Sequence, residues 1–256
     1  MEEIETKFGI ETEVMESWSE FITFIDVNSQ YRQFIWRGQA DSSWLLEPTI
    51  SRVLKKYGKV DNEKTINTHL QRFKYATRGR RGPTPSILEK DDYWWALGQH
   101  QGLNTPLLDW SKSPFVAAFF AYERYEVSST TQRTVYGISQ TAIARMSDII
   151  KKQHLETTRP SIIEFIEPFS DDNARLVNQN GLFTRSPSGI DIESWIKSRY
   201  KEDEENVVMW KILLPDTERE NALRSLNRMN INHLTLFPDL YGASKFANMN
   251  IEIKSY

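Results

Sequence analysis

His100 and Asp109 are the residues of this chain best suited to move a proton. His100 stands two positions ahead of Gly102, and Asp109 sits between Leu108 and Trp110. A histidine there can act as a base, hold a hydroxyl, or simply favour the negative end of a helix. A carboxylate between large apolar neighbours must be hydrogen-bonded, ion-paired or exposed at a site. Arg37 is the matching cation, in the run Phe34-Ile-Trp-Arg-Gly-Gln39. Its planar fork fits a phosphate or a carboxylate through two parallel hydrogen bonds, so Asp109 and an outside anion compete for it. Gly38 removes a side chain where a phosphate could approach. Gln179 and Thr184 flank Gly181, so their polar ends either face a ligand or tie down a loop.

Other chemistries are poorly served. There is no cysteine, no His-Glu-x-x-His and only four histidines, so no metal site is expected. No Gly-x-Ser-x-Gly accompanies Ser111, which argues against a serine hydrolase. Phosphate loops of the Gly-x-x-x-x-Gly-Lys-Ser/Thr and Gly-x-Gly-x-x-Gly types are missing. A net charge of -3 gives no global attraction to nucleic acid or to anionic membranes. The N-terminal MEEIETKFGIE has no apolar signal region, and no run approaches a membrane span. A cytoplasmic protein is the expectation.

The elements that must hold these residues follow from periodicity. Val14 to Val27 has a helical apolar face through Trp18, Phe21, Ile22 and Ile25. Phe34 to Gln39 alternates as a strand, and Trp44 to Glu47 reads as a second one, ended by Pro48. Asp61 to Thr77 is a helix followed by the basic loop Arg78-Gly-Arg-Arg-Gly-Pro-Thr-Pro85, either solvated or a phosphate-contacting lid. Tyr93 to Gln101 is a helix with Trp94 and Leu97 on one face, stopped by Gly102. Thr105 to Trp110 is a buried strand, and Ser111 or Ser113 caps a helix from Phe115 to Glu123. Its Ala117 and Ala121, one turn apart, let another backbone come close. Strands at Thr134 to Ser139, Ile162 to Ile166 and Val207 to Leu214 alternate with helices at Ile143 to Lys152, Asp171 to Gln179, Ile192 to Tyr200 and Thr217 to Met229. Thr217-x-x-Glu220 has the form of a capping box, and Asp239 that of an N-cap for a last helix from Leu240. The class is α+β: a mixed, mostly antiparallel sheet with flanking helices, in one domain spanning 1–256.

Four stretches together resemble a known family. They are Trp36-Arg-Gly-Gln39 with Trp44 and Pro48; Gln99-His-Gln-Gly-Leu-Asn-Thr105 with Leu107-Leu-Asp-Trp110 and Ser113-Pro114…Ala121; Arg175-x-x-x-Gln179-x-Gly181-x-Phe183-Thr184; and Leu236-Phe-Pro-Asp-Leu240. In that order they resemble the FRG domain, named for a Phe/Tyr-Arg-Gly motif, with Trp36 in the aromatic place. The resemblance covers about residues 18–248, and the family occurs largely in bacteria and their mobile elements. A weaker likeness is to ADP-ribosyltransferases. It implies that Arg37 contacts the phosphates of NAD, that Ser111 and Ser113 support the nicotinamide pocket, and that a later Glu orients a ribose. Glu164 or Gln179 would take that last place, though neither matches it cleanly.

These readings give one polar cleft. His100, Asp109, Gln179 and Glu164 are its candidate catalytic residues. Arg37, Gly38, Gln39, Thr105, Ser111, Ser113 and Thr184 are its candidate NAD-binding residues. Each motif joins a polar residue to a glycine or proline turn, as loops at sites do, so the four motifs are expected to converge. The expected activity is NAD-using ADP-ribosyl transfer or NAD breakdown, in a bacterial toxin or anti-phage effector. The alternative is a module that senses a nucleotide or a protein partner without chemistry.

Overall fold

The computed structural model describes residues 6–28, 34–82, 87–153, 159–168 and 174–256. The chain opens with strands β1 (Thr6–Lys7) and β2 (Ile10–Val14), helix α1 (Trp18–Asn28) and strand β3 (Phe34–Gln39). Three helices follow: α2 (Thr49–Lys56), α3 (Glu63–Ala76) and α4 (Asp91–His100). Then come β4 (Leu107–Ser111), α5 (Pro114–Tyr122), β5 (Gln132–Ser139), α6 (Gln140–Gln153) and β6 (Glu164–Ile166). Next are α7 (Ala174–Asn178), β7 (Gly181–Arg185), α8 (Ile192–Arg199) and β8 (Met209–Pro215). The chain closes with α9 (Arg219–Arg228), α10 (His233–Leu236) and α11 (Leu240–Glu252).

The described strands form one sheet in the order β1-β2-β8-β5-β3-β4-β7-β6. Only β2 and β8 run parallel; the other pairs are antiparallel, so the α+β class with a mixed sheet holds. Helices α1, α5 and α9 cover one stretch of the sheet with a core around Trp36, Phe119 and Trp210. Helices α2, α3 and α4 cover another stretch through Ile50, Leu70 and Trp95, against Leu107 and Phe183. Helices α6 and α8 pack a third cluster around Ile35, Tyr136 and Trp195. No helix among the described residues is long and apolar enough to cross a membrane.

Two relationships in this sheet make room for a site. Strand β3 pairs with β5 along its whole length, but with β4 it shares a single bridge, Trp36 with Ser111. Beyond that bridge β3 and β4 part. Meanwhile α5 presses its backbone onto β3. A Cβ at Gly38 would lie 1.9 Å from Ala117 O and 2.5 Å from Ala121 N. The close approach expected of Ala117 and Ala121 is therefore made to Gly38. This corrects the role given to that glycine: its empty side is filled by helix, not kept for a phosphate.

Several sequence expectations need correcting. Trp44 to Glu47 is irregular with a bend at Leu46, not a strand. The turn that leads into it, at Ser42 and Ser43, is held by Asp41, whose carboxylate accepts from Ser43 N at 2.9 Å and from Ser129 N at 2.6 Å. These bonds, with the two serine hydroxyls, outweigh desolvation and hold the Asp41 pKa well below the carboxylate range. The Thr217 capping box does not form. A 3-10 turn at Asp216–Glu218 precedes α9, with Asp216 bound to Arg133, Glu218 accepting from Trp18 N, and Glu220 facing Arg224. On α4 it is Trp95, not Trp94, that is fully buried. Strands β1 and β2 and helix α2 were not anticipated. The start of the helix expected from Asp171 to Gln179, with Asp171 or Asp172 as its cap, lies outside the described residues, as do 83–85 of the basic loop. Of that loop's arginines, Arg78 stacks on Tyr75 at 5.0 Å and Arg81 on Trp94 at 4.8 Å, and neither lines the cavity described next.

Candidate functional site

A cavity of about 370 Å³ opens where β3 and β4 part, and all four motifs reach it. Arg37, Gly38, Gln39 and Trp44 come from the first, and Gln99, His100, Asp109 and Ser111 from the second. Arg175, Gln179 and Phe183 come from the third, and Phe237 from the fourth.

Arg37 bridges the gap between the parted strands. Its Nη1 donates to the main-chain carbonyl of Asp109 at 2.7 Å, and the Asp109 carboxylate is 3.8 Å away. Its Nε is buried with no hydrogen-bond partner. Burial lowers the Arg37 pKa, the charge of Asp109 opposes this, and the nearby charge of Arg52 lowers it further. Two guanidiniums thus crowd one side of the cavity, a placement that an anion would relieve.

Asp109 is held by a short relay. Gln99 Nε2 donates to its carboxylate at 2.7 Å, and the Gln99 carbonyl oxygen accepts from the Thr105 hydroxyl. Thr105 is fully buried and does not line the cavity, so it acts by orienting Gln99. His100 ends α4, and Gly102 follows at φ 86°, the left-handed turn that a glycine makes at little cost. No described residue hydrogen-bonds the His100 ring. Its pKa is lowered, by burial first and then by Arg175, with Asp239 opposing.

The third and fourth motifs are bound to each other. Arg175 donates to Asp239 through Nε at 2.8 Å and Nη2 at 2.5 Å, and it stacks on Phe237 at 5.3 Å. Asp239 also caps α11 through Gly242 N, as expected, and the Arg175 bonds lower its pKa. Gln179 Nε2 donates to Leu236 O at 3.1 Å, while the Gln179 main-chain carbonyl accepts from Ser111 Oγ at 2.7 Å.

Not every candidate reaches the cavity. Ser113 caps α5 through Val116 N. Thr184 is buried and accepts from the Trp110 indole at 2.8 Å. Glu164 lies on the edge strand β6, paired with Arg159 at 2.8 Å in a cluster with Glu63, Arg185 and Asp92, and it does not line the cavity.

Sequence reading missed other cavity residues: Arg52, Glu47, Glu123 and Arg124. Glu123 and Arg124 lie just past α5 in a segment pinned by two distant arginines. Arg133 donates to Ala121 O, Arg124 O and Glu126 O, and Arg219 to Tyr122 O, Glu123 O and Arg124 O. The Glu123 carboxylate meets buried His233 Nε2 at 3.2 Å. Arg124 stacks on Trp44 at 5.3 Å. No short-range pattern announces these partners. The one sequence signal was the change from apolar Tyr122 to charged Glu123 and Arg124 at a helix end.

Taken together, the cavity has four arginines (Arg37, Arg52, Arg124, Arg175), three carboxylates (Glu47, Asp109, Glu123) and aromatic rings at Trp44, Phe120 and Phe237. Guanidiniums suit phosphates, carboxylates suit hydroxyl donors, and rings suit a flat base. Residues 32–130 match the family model of the FRG domain, so the chain carries that domain there. The match includes Arg37, His100, Asp109 and Glu123 but ends before Arg175, Gln179 and Phe237. No curated protein and no solved structure matches the chain. The likeness to ADP-ribosyltransferases therefore rests on the order of motifs alone.

Proposed function

We propose that the cavity binds a phosphorylated nucleotide, with NAD and ADP-ribose as its first candidates. The observation that carries this is the convergence of four arginines from four separate segments beside exposed Trp44 and half-buried Phe237. A surface that needed arginines only for folding would pair each with a carboxylate. Here Arg175 has a close one in Asp239, Arg37 bonds a carbonyl and meets its carboxylate only at 3.8 Å, and Arg52 has none within 4.0 Å among the described residues. In this reading Arg37 and Arg52 take phosphate oxygens, Asp109 and Glu123 accept ribose hydroxyls, and Trp44 or Phe237 stacks the base. His100 supplies the group whose charge follows pH. The protein would be a nucleotide-dependent effector, by NAD breakdown or ADP-ribosyl transfer, of the kind used in bacterial toxins and anti-phage defence.

One observation favours a second reading, a binding module without chemistry. The hydroxyls of Ser111, Thr105 and Thr184 and the amide of Gln179 are spent on internal hydrogen bonds, and Glu164 stands away from the cavity. Two measurements separate the readings. Titration calorimetry with NAD and ADP-ribose tests binding, and assay of free nicotinamide tests turnover. Binding with release of nicotinamide supports the enzyme. Binding alone supports the sensor. No heat with either ligand sinks the nucleotide reading.

A further inference from the structure

The charge of this chain is unevenly placed. Residues 49–81 hold ten Lys and Arg against two Asp and Glu, in a chain whose net charge is -3. Both acids are committed elsewhere: Asp61 accepts from Gly189 N, and Glu63 pairs with Arg185 and Arg159. Helix α2 contains no acidic residue. Its Arg52 lines the cavity, and Lys55 and Lys56 follow three and four positions on, on the same side of the helix. Lys59 continues the row, because Gly58 at φ 60° turns the chain and Lys59 N returns to Leu54 O at 2.8 Å. All four cations are exposed, and none has a carboxylate within 4.0 Å among the described residues. Between them Tyr57 stands 67% exposed, with Lys56 Nζ 5.7 Å from its ring. The opposite face of α2 is anchored, with Ile50 and Leu54 in the core beneath.

We infer that this row is a track for single-stranded nucleic acid, and that the nucleotide in the cavity is the end of such a strand. The inference rests on the reading that the cavity takes a nucleotide, and it narrows the ligand class. Arg52 would hold the phosphate shared by cavity and track. Lys55, Lys56 and Lys59 would meet the following phosphates, and Tyr57 offers a face for a neighbouring base. Cations interleaved with an exposed ring are what sequence-tolerant strand binding needs. The global charge hides this, since the rest of the chain taken together is acidic.

The test uses the full chain, short fluorescent oligonucleotides of RNA and of DNA, and ADP-ribose. Anisotropy and calorimetry should show an oligonucleotide binding at least about tenfold tighter than ADP-ribose, consistent with one added stacked base and further phosphate contacts. A gain with either sugar supports the track, and the tighter one identifies the strand. Replacing Lys55, Lys56 and Lys59 together by Gln should remove that gain. It should also lower the slope of log affinity against log salt by about 2, at roughly 0.7 per phosphate contact. Affinity for ADP-ribose should stay unchanged in this variant, which also reports an intact fold. Tyr57→Ala should weaken only the oligonucleotide, by about tenfold. The track is overturned if ADP-ribose binds and the oligonucleotides bind no tighter, or if the triple variant behaves as wild type. It is equally overturned, in favour of an acidic protein partner, if polyglutamate displaces the oligonucleotide at equal charge. Failure of both ADP-ribose and oligonucleotides to bind removes the nucleotide reading beneath it.

Discussion

Arg37 is tied to Asp109 through the backbone rather than through the side chain: Nη1 lies 2.7 Å from the Asp109 carbonyl and 3.8 Å from its carboxylate. This separates two roles that a salt bridge would have merged. The carbonyl fixes where the guanidinium sits. The carboxylate, with its side chain 61% exposed, remains open to a ligand.

Asp109→Asn should therefore cost little stability, within about 1 kcal/mol, because a pair this long with its carboxylate exposed is weak and the new amide oxygen still accepts from Gln99. Ligand affinity should move instead, since the carboxylate is the better acceptor for a hydroxyl. Urea denaturation and calorimetry on one preparation check both. A loss of several kcal/mol in folding would show that the carboxylate, not the carbonyl, holds Arg37.

Arg37→Lys tests the fork. An ammonium can carry the charge but cannot bond the Asp109 carbonyl and present a second donor edge to a phosphate. A lost charge-assisted hydrogen bond is worth about 1.5–3 kcal/mol, so ADP-ribose affinity should fall roughly ten- to hundredfold. The melting temperature should move by a few degrees at most, because the main-chain carbonyl can still accept from the lysine. Unchanged affinity beside a large drop in melting temperature would assign Arg37 to folding alone.

Gly38→Ala should damage the fold itself. The added methyl meets backbone atoms of Ala117 and Ala121, which cannot rotate away, so α5 must lift from β3. Overpacking against rigid backbone costs about 3 kcal/mol or more, and α5 leads into Glu123 and Arg124. Thermal melts should show the loss whether or not ligand is present. A variant as stable as wild type would mean that α5 sits farther from β3.

What could be read from sequence follows the range of the interactions. Ala117 and Ala121 announced a close approach because small residues have few other uses in apolar segments, but Gly38, their partner, was read as room for a phosphate. The caps Ser113 and Asp239 were legible because their partners lie three residues away. The irregular stretch Trp44 to Glu47 was misread as a strand because the turn leading into it is anchored through Asp41 to Ser129, far along the chain. The same distance hid Glu123, whose place depends on Arg219 and His233. The α2 track was overlooked for another reason: net charge was read for the whole chain, and a compact basic segment is lost in that sum.

The last prediction concerns pH. Burial and the charge of Arg175 lower the His100 pKa below its ordinary value of 6.5, with Asp239 opposing. The sign then follows. The unfolded chain takes up a proton near pH 6.5 and the folded chain resists it, so the stability tied to neutral His100 is present above that pH. It is lost as pH falls towards the folded pKa. A bound phosphate reverses the local field and favours the protonated ring. Binding should therefore take up a proton, and affinity for ADP-ribose should rise as pH drops from about 8 to about 6. His100→Gln should flatten both curves while leaving affinity at about pH 8 close to wild type, since the wild-type ring is neutral there. Calorimetry in buffers of different ionisation heat reads the proton uptake directly. If His100→Gln keeps the wild-type pH dependence, the titrating group is elsewhere and His100 only ends α4.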